Sequence, residues 1–197
     1  MILYNWWDFR GEGAANCILA AENAAGMRIT FLCRLQGHPR IERHHKVGMD
    51  ITWVTDRIAV GGGIWTAENM AKVAEAGITH VIDMQIEFDD TPLGEEFGVE
   101  VLWNPTDDDF EFKPASLFRR GVEFAETALQ KDGAKIFVHC AAGVHRAPMM
   151  TLALLGSMGW ELNEAMELIE GRRPVADFAD VYVESVEKFL AQELDHQ

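Results

Sequence analysis

Cysteine is scarce in this chain of 197 residues, which has only Cys17, Cys33 and Cys140. The count is odd and the spacing is not that of metal-binding cysteines, which argues against a disulfide framework and against a zinc site. We therefore predict no metal and no other cofactor. A free thiol is best kept in a reducing compartment, so we expect the protein to be cytoplasmic.

Long apolar runs are also missing, although 48% of the residues are apolar and can form a buried core. Basic residues are few beyond residue 48: residues 1–48 hold six Lys/Arg against four acids, whereas the remainder holds 11 against 28. An acidic body of this kind repels nucleic acids and anionic lipid surfaces. We predict no nucleic-acid partner and no membrane partner. The oligomeric state is not encoded in any pattern that we can read.

The change of charge coincides with a change of organisation. From Met49 the chain shows alternating strand and helix patterns, and we predict one domain over residues 49–197, preceded by an N-terminal leader of unknown role over residues 1–48. The apolar stretch from Ala14 to Ala25 is interrupted by Glu22 and lacks a basic segment before it, so a secretory signal is not expected.

Short β-prone runs alternate with helical stretches after Met49. This order predicts an α/β fold with a central, mostly parallel sheet flanked by helices and with its site at the carboxyl ends of the strands. The predicted strands are Ile51–Val54, Arg57–Val60, Thr79–Asp83, Val99–Trp103 and Lys135–His139. Thr66 and Ser116 are the predicted caps of the first two helices, and the later helices are predicted within residues 149–158, 163–170 and 180–190.

The most informative segment follows the last predicted strand, where Cys140 and Arg146 are separated by a loop that contains Gly143. A loop that enters a helix N-terminus directs several backbone N–H groups inward, and these groups together with the helix dipole favour a bound dianion. Arg146 can offer two donors to phosphate, and the positive field favours the thiolate of Cys140. The predicted phosphate-binding residues are Ala141, Ala142, Gly143, Val144, His145 and Arg146. A buried, inert cysteine is the alternative interpretation of Cys140.

His139 precedes the cysteine. A side chain that leaves the strand on the opposite face cannot reach the phosphate, so we expect His139 to support the loop from behind, by a hydrogen bond that orients it and favours the thiolate.

His139-Cys140-x5-Arg146 resembles the signature of cysteine-dependent phosphatases, and the flanking sequence is similar to the compact dual-specificity branch of that superfamily. The resemblance implies a general-acid aspartate roughly thirty residues before the cysteine. Three adjacent carboxylates lie in that region, and the family spacing favours Asp108 over Asp107 and Asp109. The acid would protonate the leaving oxygen and then take a proton from the water that attacks phosphocysteine.

Ala147 departs from the pattern, because most members of the superfamily have serine or threonine after the arginine. The missing hydroxyl is expected to slow hydrolysis of phosphocysteine more than its formation. Arg146-Ala147-Pro148 resembles the loop of the phosphatases of regenerating liver, in which slow catalysis accompanies a role in binding partner proteins. The prenylation signal of those proteins has no counterpart here, since the last five residues contain no cysteine.

The resemblance implies a phosphatase that hydrolyses phosphate monoesters, with phosphotyrosine or phosphoserine/threonine of proteins, or a small phosphoester, as the substrate. Two alternatives stay open: a slow-turnover regulatory protein that mainly binds phosphate groups, and a phosphoinositide phosphatase. Phosphoinositide loops commonly add lysines beside the cysteine, whereas here His145 is the single side chain between Cys140 and Arg146 that could carry charge. Rhodanese-like sulfur transfer and arsenate reduction do not explain an aspartate at the general-acid distance.

Overall fold

The computed structural model describes residues 48–194 of the chain. All but the final residue of the predicted leader, and with it Cys17 and Cys33, therefore lies outside the described residues. Within the described part, no helix combines the length and the apolar character that crossing a bilayer requires.

Five strands form one mixed sheet with the spatial order β1-β2-β5-β3-β4. Only β1 is antiparallel to its neighbour, and the other three pairings are parallel, as the alternation of strands and helices predicts. The strands are β1 (Ile51–Trp53), β2 (Ile58–Gly61), β3 (His80–Asp83), β4 (Glu100–Trp103) and β5 (Ile136–His139).

Helices cover both faces of the sheet. They are α1 (Ala67–Glu75), α2 (Thr91–Phe97), α3 (Ala115–Leu129), α4 (Arg146–Ser157), α5 (Leu162–Arg172) and α6 (Asp180–Leu194). The larger core joins one face of the sheet to α3, α4, α5 and α6, and the smaller core joins the other face to α1 and α2. Alternation along β5 sends Ile136 and Val138 into the larger core and Phe137 into the smaller one, as expected of a strand that is buried on both faces.

Thr66 caps α1 as predicted, because its side-chain oxygen accepts a hydrogen bond of 3.2 Å from the backbone N–H of Asn69. The predicted cap at Ser116 is wrong. The helix begins one residue earlier, at Ala115, with Pro114 in the extended conformation as the cap residue. Proline is favoured immediately before or at a helix start because it has no N–H to leave unsatisfied there.

Helix α2 was not predicted from the sequence. It is seven residues long, begins at Thr91-Pro92 and ends at Gly98, which has a positive φ of 69°. The proline at the start and the glycine after the end are typical helix boundaries. The stretch is too short to show the 3.6-residue apolar period on which the other helix predictions rest.

Candidate active site

The candidate site lies at the carboxyl edge of the parallel strands, where β2, β5 and β3 end side by side. Cys140 follows directly after β5, and the loop from Cys140 to His145 leads into α4, whose first residue is Arg146. The loop is supported laterally by the residues after β2, since the N–H of Gly63 donates to the carbonyl of Ala141 at 3.1 Å. The strand–loop–helix arrangement expected from the sequence is therefore present.

Cys140 is buried at the bottom of this loop, with 1% of its surface exposed. Its Sγ accepts a hydrogen bond of 3.2 Å from the backbone N–H of Gly143, across a turn in which Gly143 has a φ of 65°. The left-handed conformation aims that N–H at the sulfur. A donor in this position stabilises a thiolate, which is the nucleophilic form of cysteine.

Arg173, which follows α5, holds the loop from the side. Its guanidinium is almost fully buried and donates to the carbonyls of Gly143 (2.7 Å) and Ala142 (3.2 Å). The same group donates to both carboxylate oxygens of Asp50, at 2.9 and 2.7 Å, and this pairing lowers the pKa of Asp50 below its ordinary value. Because Arg173 satisfies the outward-facing carbonyls, the loop amides remain directed toward the cradle.

Arg146 is buried and held by Glu87, which follows β3. Its Nη1 and Nη2 donate to the two carboxylate oxygens of Glu87 at 2.9 and 2.8 Å, and Nη1 also donates to the carbonyl of Thr106 at 3.1 Å. These hydrogen bonds lower the pKa of Glu87. Glu87 occupies one edge of the guanidinium, and Nε is buried without a hydrogen bond. The Nε–Nη2 edge is thus left to bind two oxygens of a phosphate.

Asp108 reaches the same cradle from the loop after β4. Its Oδ2 lies 3.0 Å from His145 Nδ1 and 4.0 Å from Arg146 Nε, and its Oδ1 accepts a hydrogen bond of 3.2 Å from the hydroxyl of Tyr182. The structure therefore brings Cys140, Arg146 and Asp108 together around one cradle.

The two neighbouring aspartates differ from Asp108 in their surroundings. Asp109 forms an ion pair with the buried ammonium group of Lys113, and the hydrogen bond from Lys113 lowers the pKa of Asp109. A carboxylate held in its charged form is a poor proton donor. Asp107 is exposed. The contact with the cradle distinguishes Asp108 from both, in agreement with the family spacing.

His139 lies behind the loop on the face of the sheet opposite Cys140. Its ring is fully buried, with Nε2 at 3.2 Å from Asp90 and 3.6 Å from Asp83. Burial lowers the pKa of His139 to about 3 and raises that of Asp83 to about 8 and that of Asp90 to about 6. At neutral pH the ring and Asp83 are therefore uncharged, whereas Asp90, 3.2 Å from the ring, is mostly ionised.

Within the described residues, Asp83, Asp90 and His139 are also the side chains whose ligand atoms converge most closely, within 4.8 Å. Both oxygens of Asp83 already accept backbone N–H groups, from Gln85 at 3.0 Å and from Asp90 at 3.3 Å. Neither ring nitrogen of His139 and only one oxygen of Asp90 has a hydrogen-bond partner within the described residues. The hydrogen bond expected from His139 to the loop is therefore not observed, and Asp83 is the member of the cluster that backbone donors hold in place.

Glu87, Arg173 and Tyr182 complete the site, but sequence reasoning did not identify their roles. Each reaches the cradle from an element distant in sequence: Glu87 is 59 residues from Arg146, and Tyr182 is 74 residues from Asp108. Arg173 lies in an Arg-Arg-Pro segment after α5, and its guanidinium satisfies carbonyls of the phosphate loop.

Comparison with known proteins agrees with this geometry. The model of the family described as dual specificity phosphatase, catalytic domain, matches residues 63–189. Human dual specificity protein phosphatase 26 is 32% identical over 113 residues, covering 56% of this chain and 51% of that protein. The amyloplastic phosphoglucan phosphatase DSP4 of Castanea sativa is 27% identical over 145 residues, covering 66% of this chain and 38% of that protein.

The fold has solved relatives. The crystal structure of PTPMT1 superposes with a TM-score of 0.65 at 23% identity, covering 74% of this chain and 97% of that one. The first curated relatives are longer than the matched region, since the chain spans between 19% and 51% of their length. The family match covers more than half of the chain and includes the loop from Cys140 to Arg146 and the segment around Asp108. This chain belongs to the family of dual-specificity phosphatase catalytic domains.

Proposed function

We propose that this protein is a phosphatase that hydrolyses phosphate monoesters through a phosphocysteine intermediate. The observation that carries the proposal is the convergence of a buried thiol, a free guanidinium edge and a carboxyl group around one loop of inward-directed amides. Cys140 is the nucleophile and Arg146 binds the phosphate. Asp108 donates a proton in the first step and accepts one in the second.

In the first step the thiolate of Cys140 attacks phosphorus, and the bond from phosphorus to the leaving oxygen breaks. The Nε–Nη2 edge of Arg146 and the loop amides stabilise the charge on the three remaining oxygens. A proton from the acid at Asp108 neutralises the leaving alkoxide or phenoxide. This transfer is worth about 10²- to 10⁴-fold and matters most for a poor leaving group.

In the second step a water molecule attacks phosphocysteine, gives a proton to Asp108 and releases phosphate and the thiolate. Ala147 is fully buried at the start of α4, next to the loop. A serine or threonine at this position would place a hydroxyl near the departing sulfur. Its absence supports a slow second step, so that phosphocysteine accumulates during turnover.

The surface charge favours phosphorylated proteins over phosphoinositides in a membrane. Asp107, Asp108 and Asp109 are exposed on the loop beside the cradle, and Asp177 and Glu87 add further carboxylates to its rim. An anionic membrane surface is repelled by such a rim, whereas a phosphopeptide with basic flanking residues is attracted. The substrate class that we propose is therefore phosphotyrosine or phosphoserine/threonine in proteins.

The test is steady-state release of inorganic phosphate from p-nitrophenyl phosphate, from phosphopeptides with basic and acidic flanks, and from phosphoinositide vesicles. We expect turnover of the aryl phosphate and of the basic phosphopeptide, and loss of both in Cys140→Ser. Asp108→Ala should slow phenyl phosphate much more than p-nitrophenyl phosphate. Equal losses on the two aryl substrates would remove Asp108 as the acid.

A second candidate function, recognition of phosphorylated partners without efficient turnover, is favoured by Ala147. It makes a different prediction for the same assay. Wild-type protein would then retain phosphopeptides as tightly as Cys140→Ser does, and neither protein would release phosphate.

A further inference from the structure

The phosphate loop contributes a side chain that touches the candidate acid directly. His145 precedes Arg146, and its ring lies between two carboxylates: Nδ1 is 3.0 Å from Asp108 Oδ2, and Nε2 is 3.2 Å from Asp177 Oδ2. The rings of Phe110 and His145 meet in a T-shaped arrangement, with 5.1 Å between the centroids. The backbone N–H of Asp177 donates to the carbonyl of Val144 at 2.8 Å, so Asp177 is fixed to the loop that carries His145.

We propose that Asp108 and His145 hold the catalytic proton jointly, so that the general acid of this protein is the pair and not the aspartate alone. This inference rests on the proposed function and deepens it. His145 acts through Asp108 and is therefore a positioning residue. The groups that would face a bound phosphate are Cys140, Arg146 and Asp108.

The hydrogen-bonded chain Asp108–His145–Asp177 requires a definite number of protons. Two hydrogen bonds, one at each ring nitrogen, require two protons between three groups. When both are present, either the imidazolium donates to both carboxylates, or protonated Asp108 donates to Nδ1 while Nε2–H donates to Asp177. When one proton leaves, two acceptors face each other across one of the contacts and that contact is lost. Both contacts of the ring therefore persist only while the three groups share two protons.

The other neighbours of Asp108 act in the opposite direction. The hydroxyl of Tyr182 donates to Oδ1, and Nε of Arg146 lies 4.0 Å from Oδ2, and both stabilise the charged carboxylate. Burial raises the pKa of Tyr182 to about 12, so its hydroxyl keeps the proton that it donates. His145 supplies the counteracting contact.

The proton that the pair gives up in the first half-reaction is returned to it in the second. The proton held between Oδ2 and Nδ1 moves to the leaving oxygen as the phosphorus–oxygen bond breaks, which leaves the Asp108 carboxylate and a neutral His145 whose Nε2–H still faces Asp177. In the second half-reaction the attacking water returns one proton to the pair, and the sulfur–phosphorus bond releases the thiolate. No external acid or base is required.

The experiment measures kcat/KM against pH for phenyl phosphate, which needs the acid, and for p-nitrophenyl phosphate, which needs it less. His145→Asn leaves an amide at the position of Nδ1 but removes the group that can be protonated. Tyr182→Phe removes the donor to the other oxygen. We expect the alkaline limb for phenyl phosphate to move about one pH unit lower in His145→Asn, with roughly tenfold loss at neutral pH, and to move higher in Tyr182→Phe.

If the proton is shared, the alkaline limb of the pH profile shifts in opposite directions in His145→Asn and Tyr182→Phe. A loosened Asp108 loop would shift the limb in the same direction in both variants. Unshifted profiles with equal losses on the two substrates in both His145→Asn and His145→Gln would overturn the inference and leave the phosphatase intact. Wild-type protein without Cys140-dependent release would overturn the proposed function as well. Circular dichroism and urea unfolding of each variant show whether it is folded, and His145→Gln keeps the test available if His145→Asn is not.

Discussion

Gly143 should be irreplaceable for two separable reasons, and one pair of variants can measure each of them. In Gly143→Ala the new Cβ would lie 2.5 Å from both the carbonyl carbon and the carbonyl oxygen of Gly61, and it would also collide with Nη2 of Arg173. The residue has a φ of 65°, which L-residues with a side chain rarely adopt.

Gly98→Ala is the matched control. Gly98, after α2, has nearly the same backbone angle, with φ of 69°, but an added Cβ there would meet nothing within 4 Å. The free energy of unfolding of Gly98→Ala therefore reports only the cost of the left-handed conformation, about 1–2 kcal/mol. This cost is partly offset by about 0.4–1 kcal/mol, because alanine restricts the unfolded chain.

The close approach adds a larger cost at Gly143. Carbon atoms in contact prefer roughly 3.5–4.0 Å, so the loop must move by about 1 Å away from the end of β2. Overpacking against rigid backbone costs about 1–3 kcal/mol. We expect Gly143→Ala to be less stable than Gly98→Ala by about this amount.

The same displacement changes the chemistry. The amide that donates to Cys140 Sγ would move by about 1 Å, and displacements of this size at a reacting centre cost roughly 10²-fold. The assays are urea unfolding and kcat/KM on p-nitrophenyl phosphate for wild type and both variants. If Gly143→Ala matched Gly98→Ala in stability and in activity, the reasoning about the tight approach of the loop to β2 would be refuted.

Three further predictions concern the surroundings of the cradle. Glu87→Gln removes one of the two charge-assisted acceptors of Arg146, so kcat/KM should fall about tenfold or more for good and poor leaving groups alike, because both bind through the phosphate; unequal losses would contradict this role. Ala147→Ser should raise steady-state turnover without changing the rate of the first step, and a slower first step with unchanged turnover would be contrary to our account of the missing hydroxyl. The raised pKa of Asp83, about 8 against 3.8, means that the folded state holds a proton that the unfolded state lacks. Between about pH 7 and 8, where most of His139 is neutral in the folded and the unfolded state, the free energy of unfolding should fall by up to about 1.4 kcal/mol per pH unit. Urea unfolding of Asp83→Asn across this range should show a flatter slope, and an unchanged slope would assign the proton elsewhere.

Most of the fold could be predicted from the sequence because its three central strands are fully buried and its helices alternate with the strands. All five strands were placed to within one residue, since the strands are short apolar or β-prone runs that end at recognisable turns. Helix α2 was missed because seven residues from Thr91 to Phe97 carry no periodic apolar stripe.

The candidate site, like the fold, was predicted from the sequence only in part. Cys140 and Arg146 are close in sequence, and a loop of fixed length determines how they face each other, so their proximity could be predicted. Asp108 came from the spacing of the family. The partners of these residues depend on packing between distant elements, which no local pattern encodes: α6 brings Tyr182 to Asp108, and the β3–α2 loop brings Glu87 to Arg146.

The central claim is that Cys140 carries the phosphoryl group during turnover. The most direct measurement is a rapid-mixing time course with p-nitrophenyl phosphate, followed by acid quenching and mass analysis of the peptide that contains Cys140. We predict a burst of p-nitrophenol close to one equivalent per protein, a phosphorylated Cys140 peptide during the burst, and slow release thereafter, with neither signal in Cys140→Ser. Turnover by Cys140→Ser at the wild-type rate, or a burst without phosphate on the Cys140 peptide, would contradict the account.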